Sequence, residues 1–425
     1  MRKVVIRYNY FKLLLASLVV GFISTLFADS LKKITGFFQE HIFEKVSSYP
    51  YLFLILPSVG ITIIYFLRKF AFKNKQNKGI KEIYKTIETR KDDLPLYKIP
   101  SHYVNGFFTV IFGGSTGIEV STVVASATVG AAAHKKGNIA FAYKTELICA
   151  GVAAGVATLF GSPIAGLLFA IEVIAKKANK AILISCVSAA LVSWIYLHFT
   201  GGGTLFQFQV SGWNMYAIPY FVVLSLLAGI LAVYFTKSVI FIKARFARIE
   251  NNFLRVNIGA ILVGLSIFFL PQLYGDSYHG ITALLQRAQL QETPLFFAGI
   301  LLVIACIKPL AAALTLGAGG DGGVFAPSIV AGAVLGMLVA FTCNHLFNAH
   351  LIVLNFALVG AAAMLSSAIH APFTALFLTC SIVTGGYIIF VPILIGSFIA
   401  KFIAKYLYKY TVYTYKEAKP VKVLK

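Results

Sequence analysis

Gly117 to Gly130 reads GIEVSTVVASATVG, and Gly323 to Gly336 reads GVFAPSIVAGAVLG. These two 14-residue strings agree, or exchange small for small and apolar for apolar, at most positions, and they stand 206 residues apart. A second pair keeps the same order: Gly151 to Pro163 and Gly360 to Pro372 each place Gly twelve residues before Pro, at an offset of 209. Small and apolar residues follow in both, Ile164-Ala165-Gly166-Leu167 in one and Phe373-Thr374-Ala375-Leu376 in the other. Two matches in one order at nearly one offset predict a duplicated chain, with halves over about 49–200 and 216–410 inside a single transmembrane domain spanning 1–425.

The composition around these strings is that of a chain in lipid. Of the 425 residues, 59% are hydrophobic and 12% charged, whereas soluble domains carry about 25% charged residues. Size does not account for the shortfall, because a large domain still exposes much surface. Apolar stretches near 13–28, 49–67, 181–199, 216–236, 256–273, 295–316, 324–342, 352–369 and 373–400 are long enough, or nearly so, to cross about 30 Å of hydrocarbon. The first resembles a secretory signal, but with so many spans behind it the reading is a retained first transmembrane helix.

The formal charge of +22 would suggest nucleic acid in a soluble protein. Here the basic residues fill gaps between apolar runs: Arg2, Lys3, Arg7 and Lys12, the loop from Arg68 to Lys98, and the tail from Lys401 to Lys425. That pattern marks the cytoplasmic side of a plasma or inner membrane, so both termini and the 68–98 loop are expected inside, with no nucleic-acid partner. Cys149, Cys186, Cys306, Cys343 and Cys380 are far apart within or beside apolar stretches, so neither a metal nor a cofactor is expected.

Between 104 and 173 the segments are interrupted at Gly113–Gly117, at Gly130 and at Gly161–Pro163. Such breaks predict half-helices ending inside the membrane, tolerable where protein or a wet cavity satisfies the freed backbone. Duplicated halves with broken helices are a transporter and channel architecture, with the site at the repeat interface. Half-helix N-termini carry free N–H groups and the positive dipole end, which favours an anion. The expected site is built by the segments beginning near Gly117 and Gly323.

Only 15 acids exist. Glu119 and Glu172 fall in apolar surroundings, Asp321 in a Gly-rich loop and Glu146 at a segment edge, and a carboxylate in lipid is a functional candidate. Glu119 stands second after Gly117, at the start of the expected half-helix, where it acts as a tethered competitor for the anion: a gate. A structural N-terminal acid is the alternative, although its repeat partner is apolar Phe325.

These residues resemble the CLC family of chloride channels and chloride/proton antiporters. Gly117-Ile118-Glu119-Val120-Ser121 is similar to the family's G-[KR]-E-G-P segment, whose Glu is the gate. Gly323-Val324-Phe325-Ala326-Pro327 fits its G-x-F-x-P motif, and Phe160 to Gly166 followed by Phe169-Ala170-Ile171-Glu172 resembles the region after the gate. The resemblance covers nearly the whole chain. It implies an all-α polytopic membrane protein of two inverted repeats with broken helices, a homodimer with one path per subunit for chloride or another small anion. It places Gly117, Ile118, Val120, Val324, Phe325 and Ala326 around the anion. Tyr413, 21 residues after Pro392, resembles the pore-lining Tyr, though Tyr406, Tyr408, Tyr410 and Tyr415 beside it also read as interfacial anchors.

Three departures stand out. The family's G-S-G-I-P segment is here Asn77-Lys78-Gly79-Ile80-Lys81, which puts Lys78 in the position of the anion-binding Ser, at the cytoplasmic mouth or out in bulk water. The proton-relaying Glu of many antiporters is replaced by Val173, which favours passive, channel-like conduction under voltage or pH control; a proton-coupled chloride antiporter and a transporter of fluoride or another anion are the alternatives. Around the gate, Ile118 replaces a basic residue, and Val120 with Ser121 replaces Gly-Pro.

An enzyme is the competing class, since Gly113-Gly114-Ser115-Thr116-Gly117 matches G-x-S-x-G. That motif has meaning between a strand and a helix of a soluble sheet, and here it lies between apolar helical segments. The chain reads as a transporter or channel and not as an enzyme.

Overall fold

The computed structural model describes residues 2–73, 75, 77–89, 93–136, 143–289 and 294–415. Residues 416–425 of the basic tail and 74, 76 and 90–92 of the basic loop, read above as cytoplasmic, lie outside the described residues. In chain order the α-helices are α1 (Arg2–Ser47), α2 (Leu56–Phe70), α3 (Ile80–Thr89), α4 (Lys98–Ile111), α5 (Glu119–Lys136), α6 (Lys144–Phe160), α7 (Pro163–Phe169) and α8 (Lys180–Thr200). There follow α9 (Ile218–Phe246), α10 (Asn252–Phe269), α11 (Tyr278–Gln289), α12 (Pro294–Ala318), α13 (Phe325–Phe347), α14 (Val353–Ile369), α15 (Pro372–Ser381) and α16 (Phe390–Leu407). Among the described residues eight helical segments are long and apolar enough to cross a membrane. Among the described residues an isolated bridge between Gln209 and Thr384 is the sole β pairing.

The first helix is far longer than the 13–28 stretch expected of it. Its 46 residues extend about 69 Å at 1.5 Å per residue. It continues through the charged positions Asp29, Lys32 and Lys33, each of which finds a partner. Asp29 pairs with Lys33 one turn on at 2.8 Å and accepts from the Tyr196 hydroxyl at 2.8 Å, while Lys32 donates to the Leu159 carbonyl at the end of α6. Ser17 and Thr25 bond Ser185 and Ser193 of α8 at 2.8 and 2.6 Å. The segment that imitates a secretory signal is thus packed into the protein.

The repeat is visible as matched contacts. A methyl group added at Gly130 would overlap the Leu147 carbonyl, and one added at Gly336 would overlap that of Phe356, so α5 meets α6 as α13 meets α14. This corrects the expected interruption at Gly130: the residue sits inside an unbroken α5, and its missing side chain serves helix approach. The helices then end alike. Gly161 caps α6 at φ +64 and His370 caps α14 at φ +57, both left-handed, and Pro163 and Pro372 restart the chain as α7 and α15. Proline suits the first turn of a helix because its absent N–H would have had no partner there.

A second correction concerns 373–400, expected as one apolar stretch. The structure breaks it, with α15 ending at Ser381 and α16 starting at Phe390. Between them Gly385 adopts φ +72, a left-handed turn that a continuous helix excludes. The expected breaks at Gly113–Gly117 and at Gly161–Pro163 are both present, between α4 and α5 and between α6 and α7.

Candidate functional site

The bend between α4 and α5 is fixed by polar groups from the second half. The Ser115 amide donates to Thr315 Oγ1 at 3.1 Å, and the Ser115 hydroxyl donates to the Leu273 carbonyl at 2.9 Å. Lys308, fully buried on α12, donates to the hydroxyls of Ser115 and Ser277 at 2.8 and 2.7 Å and to the Gly275 carbonyl at 3.2 Å. The G-x-S-x-G match therefore joins helix to helix, and its serine is a strut.

The loop before α13 is held just as firmly. Asp321 pairs with Arg68 at 3.4 Å and accepts from Asn77 at 2.5 Å, with His102 Nδ1 at 3.6 Å. Its own amide donates to Thr109 Oγ1 at 2.9 Å.

So fixed, the two loops meet backbone to backbone. A methyl group at Gly322 would overlap Thr116 and stand 3.2 Å from the Gly117 carbonyl. One at Gly323 would overlap Val120 and stand 3.4 Å from the Tyr413 hydroxyl. The starts of α5 and α13, expected to converge, are therefore in contact, and α13 begins without a side-chain cap on its free N–H groups.

Glu119 is the first residue of α5 and is buried. Its carboxylate folds back over Gly117, where an added methyl would overlap both oxygens. One oxygen, Oε1, accepts from the Tyr278 hydroxyl at 2.9 Å; the other is buried with no hydrogen-bond partner among the described residues.

A cavity lies on each side of this point. One, of about 320 Å³, is lined by Lys32, Ile118, Glu119, Asp276 and Tyr278 among others. The other, of about 590 Å³, is lined by Val120, Gly323, Val324 and Tyr413 at its inner end, with Arg68, Lys78, Lys81, Lys243 and Arg255 against the single acid Asp321. Consecutive residues of one helix start, Glu119 and Val120, face different cavities.

The other expected site residues are placed as follows. The Tyr413 hydroxyl is buried beside Gly323, next to the Val324 backbone at the start of α13. Lys78 is exposed at the rim of the larger cavity, with its amide donating to Glu82 at 2.5 Å. Phe325 and Ala326 are fully buried and their side chains line neither cavity; the Phe325 ring stands edge-on to Phe169 at 5.3 Å. Val173 is buried in a π-helical turn over 170–175, and its carbonyl accepts from Tyr84 at 3.0 Å. Glu172 accepts from the Thr374 amide and hydroxyl, both at 2.8 Å, and so caps the start of α15.

Three residues were not anticipated. Tyr278 and Asp276 carry no local signature and come from a segment remote in sequence. Lys308 did have a signal, a lysine in the middle of the 295–316 apolar run, where an ionisable residue marks function or a built polar pocket.

An all-α polytopic membrane protein of two inverted repeats, with broken helices meeting at a buried carboxylate, is the class defined by this fold. The chain belongs to the voltage-gated chloride channel family, whose description matches residues 59–405. It is 26% identical over 339 residues to a ClcB-like chloride channel protein of Ralstonia nicotianae, covering 76% of each chain. It is 27% identical over 260 residues to the H(+)/Cl(−) exchange transporter ClcA of Yersinia pestis, covering 59% of this chain and about half, 53%, of that one. Among solved structures it superposes on a CLC-type fluoride/proton antiporter with a TM-score of 0.78 at 26% identity, over 94% of this chain and 96% of that one. A slow cyanobacterial Cl−/H+ antiporter also gives 0.78, at 21% identity over 95% and 96% of the two chains, a likeness of fold.

Proposed function

We propose that the protein carries chloride or a similar small inorganic anion passively across the membrane, gated by the Glu119 carboxylate. The observation that carries this reading is the position of that carboxylate at the meeting of two helix starts, with a cavity on either side. Helix N-termini attract negative charge, and a tethered carboxylate occupies the place a free anion would take. Moving it out vacates the place.

In the open state the backbone around Gly117–Val120 and Val324–Ala326 supplies N–H donors, and the buried Tyr413 hydroxyl, which sits against the Val324 backbone, is a further donor. The basic rim of the larger cavity, with Lys78 on it, concentrates anions before entry. By the basic-loop reading this is the cytoplasmic mouth, and both termini lie on that side. The family resemblance takes the protein as a homodimer with one path per subunit, and the internal repeat gives its halves as about 49–200 and 216–410.

Val173, unable to carry a proton, supports passive conduction. Proton-coupled exchange is the second reading, favoured by the names of the Yersinia relatives and of the fluoride/proton antiporter. Recording chloride efflux and internal pH together from reconstituted liposomes separates the two: passive conduction leaves internal pH unmoved once the membrane potential is clamped, and exchange moves it in step with chloride. Glu119→Gln is expected to open the path and abolish the dependence of flux on pH or voltage. Unaltered pH dependence in that variant would remove Glu119 from the role.

A further inference from the structure

Beside Glu119 the route narrows against an aliphatic side chain. Val120 is 3% exposed. Its Cγ2 fills the space over Gly323, where an added methyl would overlap it, and its Cγ1 stands 3.4 Å from where Gly79 would carry one. Gly79, at φ +63, belongs to the mouth loop of the first half, and Gly323 opens the helix-start loop of the second. One isopropyl group thus spans the gap between the two loops that frame the inner end of the larger cavity. Ile80, Val324 and Val412 line the same cavity, so around Val120 the wall offers few polar side-chain atoms besides the Tyr413 hydroxyl.

On the proposed path, an anion moving from that cavity to the Glu119 position passes this side chain. It sheds part of its hydration there, and an aliphatic wall returns nothing for the water lost. Constrictions of this kind act by dewetting. The cost falls hardest on ions that hold water tightly, so fluoride is penalised most, chloride less, and nitrate and thiocyanate least.

We propose that the Val120 side chain is an apolar constriction in series with the Glu119 carboxylate, and that it sets anion preference by the cost of dehydration. This rests on the proposed path past Glu119. The two devices do different things: the carboxylate governs whether the path is open, and Val120 governs which anions cross it once open.

The test is efflux of fluoride, chloride, nitrate and thiocyanate from liposomes holding the full chain, with and without Glu119→Gln. Each background is combined with Val120→Thr, which keeps the volume and exchanges a methyl for a hydroxyl, and with Val120→Gly, which clears the gap. The parent is expected to pass thiocyanate and nitrate ahead of chloride, and chloride ahead of fluoride. Val120→Thr is expected to raise chloride relative to thiocyanate by about ten-fold, the effect of one hydrogen bond to an ion, and Val120→Gly, which makes room for water, to shift the ratio in the same direction. Should Val120→Gly fail to assemble, as judged by gel filtration, Val120→Ala takes its place beside Val120→Thr.

A chloride-to-thiocyanate ratio unchanged in the Val120 variants overturns the proposal, whatever happens to absolute rates. If that happens while Glu119→Gln still opens the path, the gate reading survives alone. If the ratio shifts but Glu119→Gln changes nothing, the constriction stands and the gate reading falls. Absence of anion efflux from every variant overturns both.

Discussion

Tyr278→Phe removes a single oxygen and leaves a ring that packs edge-on against Phe206 at 5.6 Å. The lost hydroxyl donates to Glu119 Oε1 at 2.9 Å, and Oε2 already lacks a partner. The variant therefore strips the folded-back carboxylate of its side-chain donor. A hydrogen bond to a charged group contributes about 1.5–3 kcal/mol net, or about 10- to 150-fold in an equilibrium ratio. The bond forms only while the carboxylate lies over Gly117, so the full effect falls on the ratio of closed to open gate. Chloride efflux from liposomes, measured where the parent is mostly closed, is expected to rise by a factor in that range. In a Glu119→Gln background the same change is expected to do far less, because the two residues act as a coupled pair. Parent-like efflux from well-folded Tyr278→Phe protein would refute the latch, and an equal rise in both backgrounds would show that the hydroxyl acts elsewhere.

Lys308→Met withdraws the ammonium that Ser115, Ser277 and Gly275 share, leaving buried acceptors unpaired at about 1–3 kcal/mol; the thermal midpoint in detergent is expected to fall, and an unchanged midpoint counts against the strut. Gly336→Ala forces a methyl into the Phe356 carbonyl and is expected to cost about 1–3 kcal/mol of stability. Gly299→Ala on α12, where an added methyl meets nothing within 4 Å, is expected to stabilise by about 0.5–1 kcal/mol; similar melting shifts in the two would undo the account of helix contact. Lys78→Gln at the cavity rim is expected to slow chloride efflux in dilute salt and to match the parent near 1 M salt, where the Debye length is about 3 Å. A deficit that persists at high salt would mean direct contact with the ion.

The duplicated glycines were legible because they answer to a local demand. Gly130, Gly151, Gly336 and Gly360 each sit where one helix touches the next, so the spacing of contacts is written into the chain twice. The same logic misled at Gly130, since a glycine that admits a neighbouring helix and a glycine that breaks its own look alike in sequence. Within 373–400 the run of apolar residues hid the turn, whose cause is the backbone angle at Gly385. At the site, the position of Glu119 could be read from Gly117 and the repeat. Its partner could not, because Tyr278 is one of 21 tyrosines and lies 159 residues away along the chain. Phe325 and Ala326 were assigned to the anion site from their motif, and packing buries both side chains away from the two cavities. The exchange of Gly for Val at 120 was visible from the start. What it does depends on where Gly79 and Gly323 come to rest.

Glu172 gives the assembly an order in time. The 10-residue α15 is too short to cross a bilayer, and the amide of Thr374 in its first turn is satisfied by a carboxylate made about 200 residues earlier. Until the later half docks, that carboxylate and that amide face lipid or water with nothing to bind.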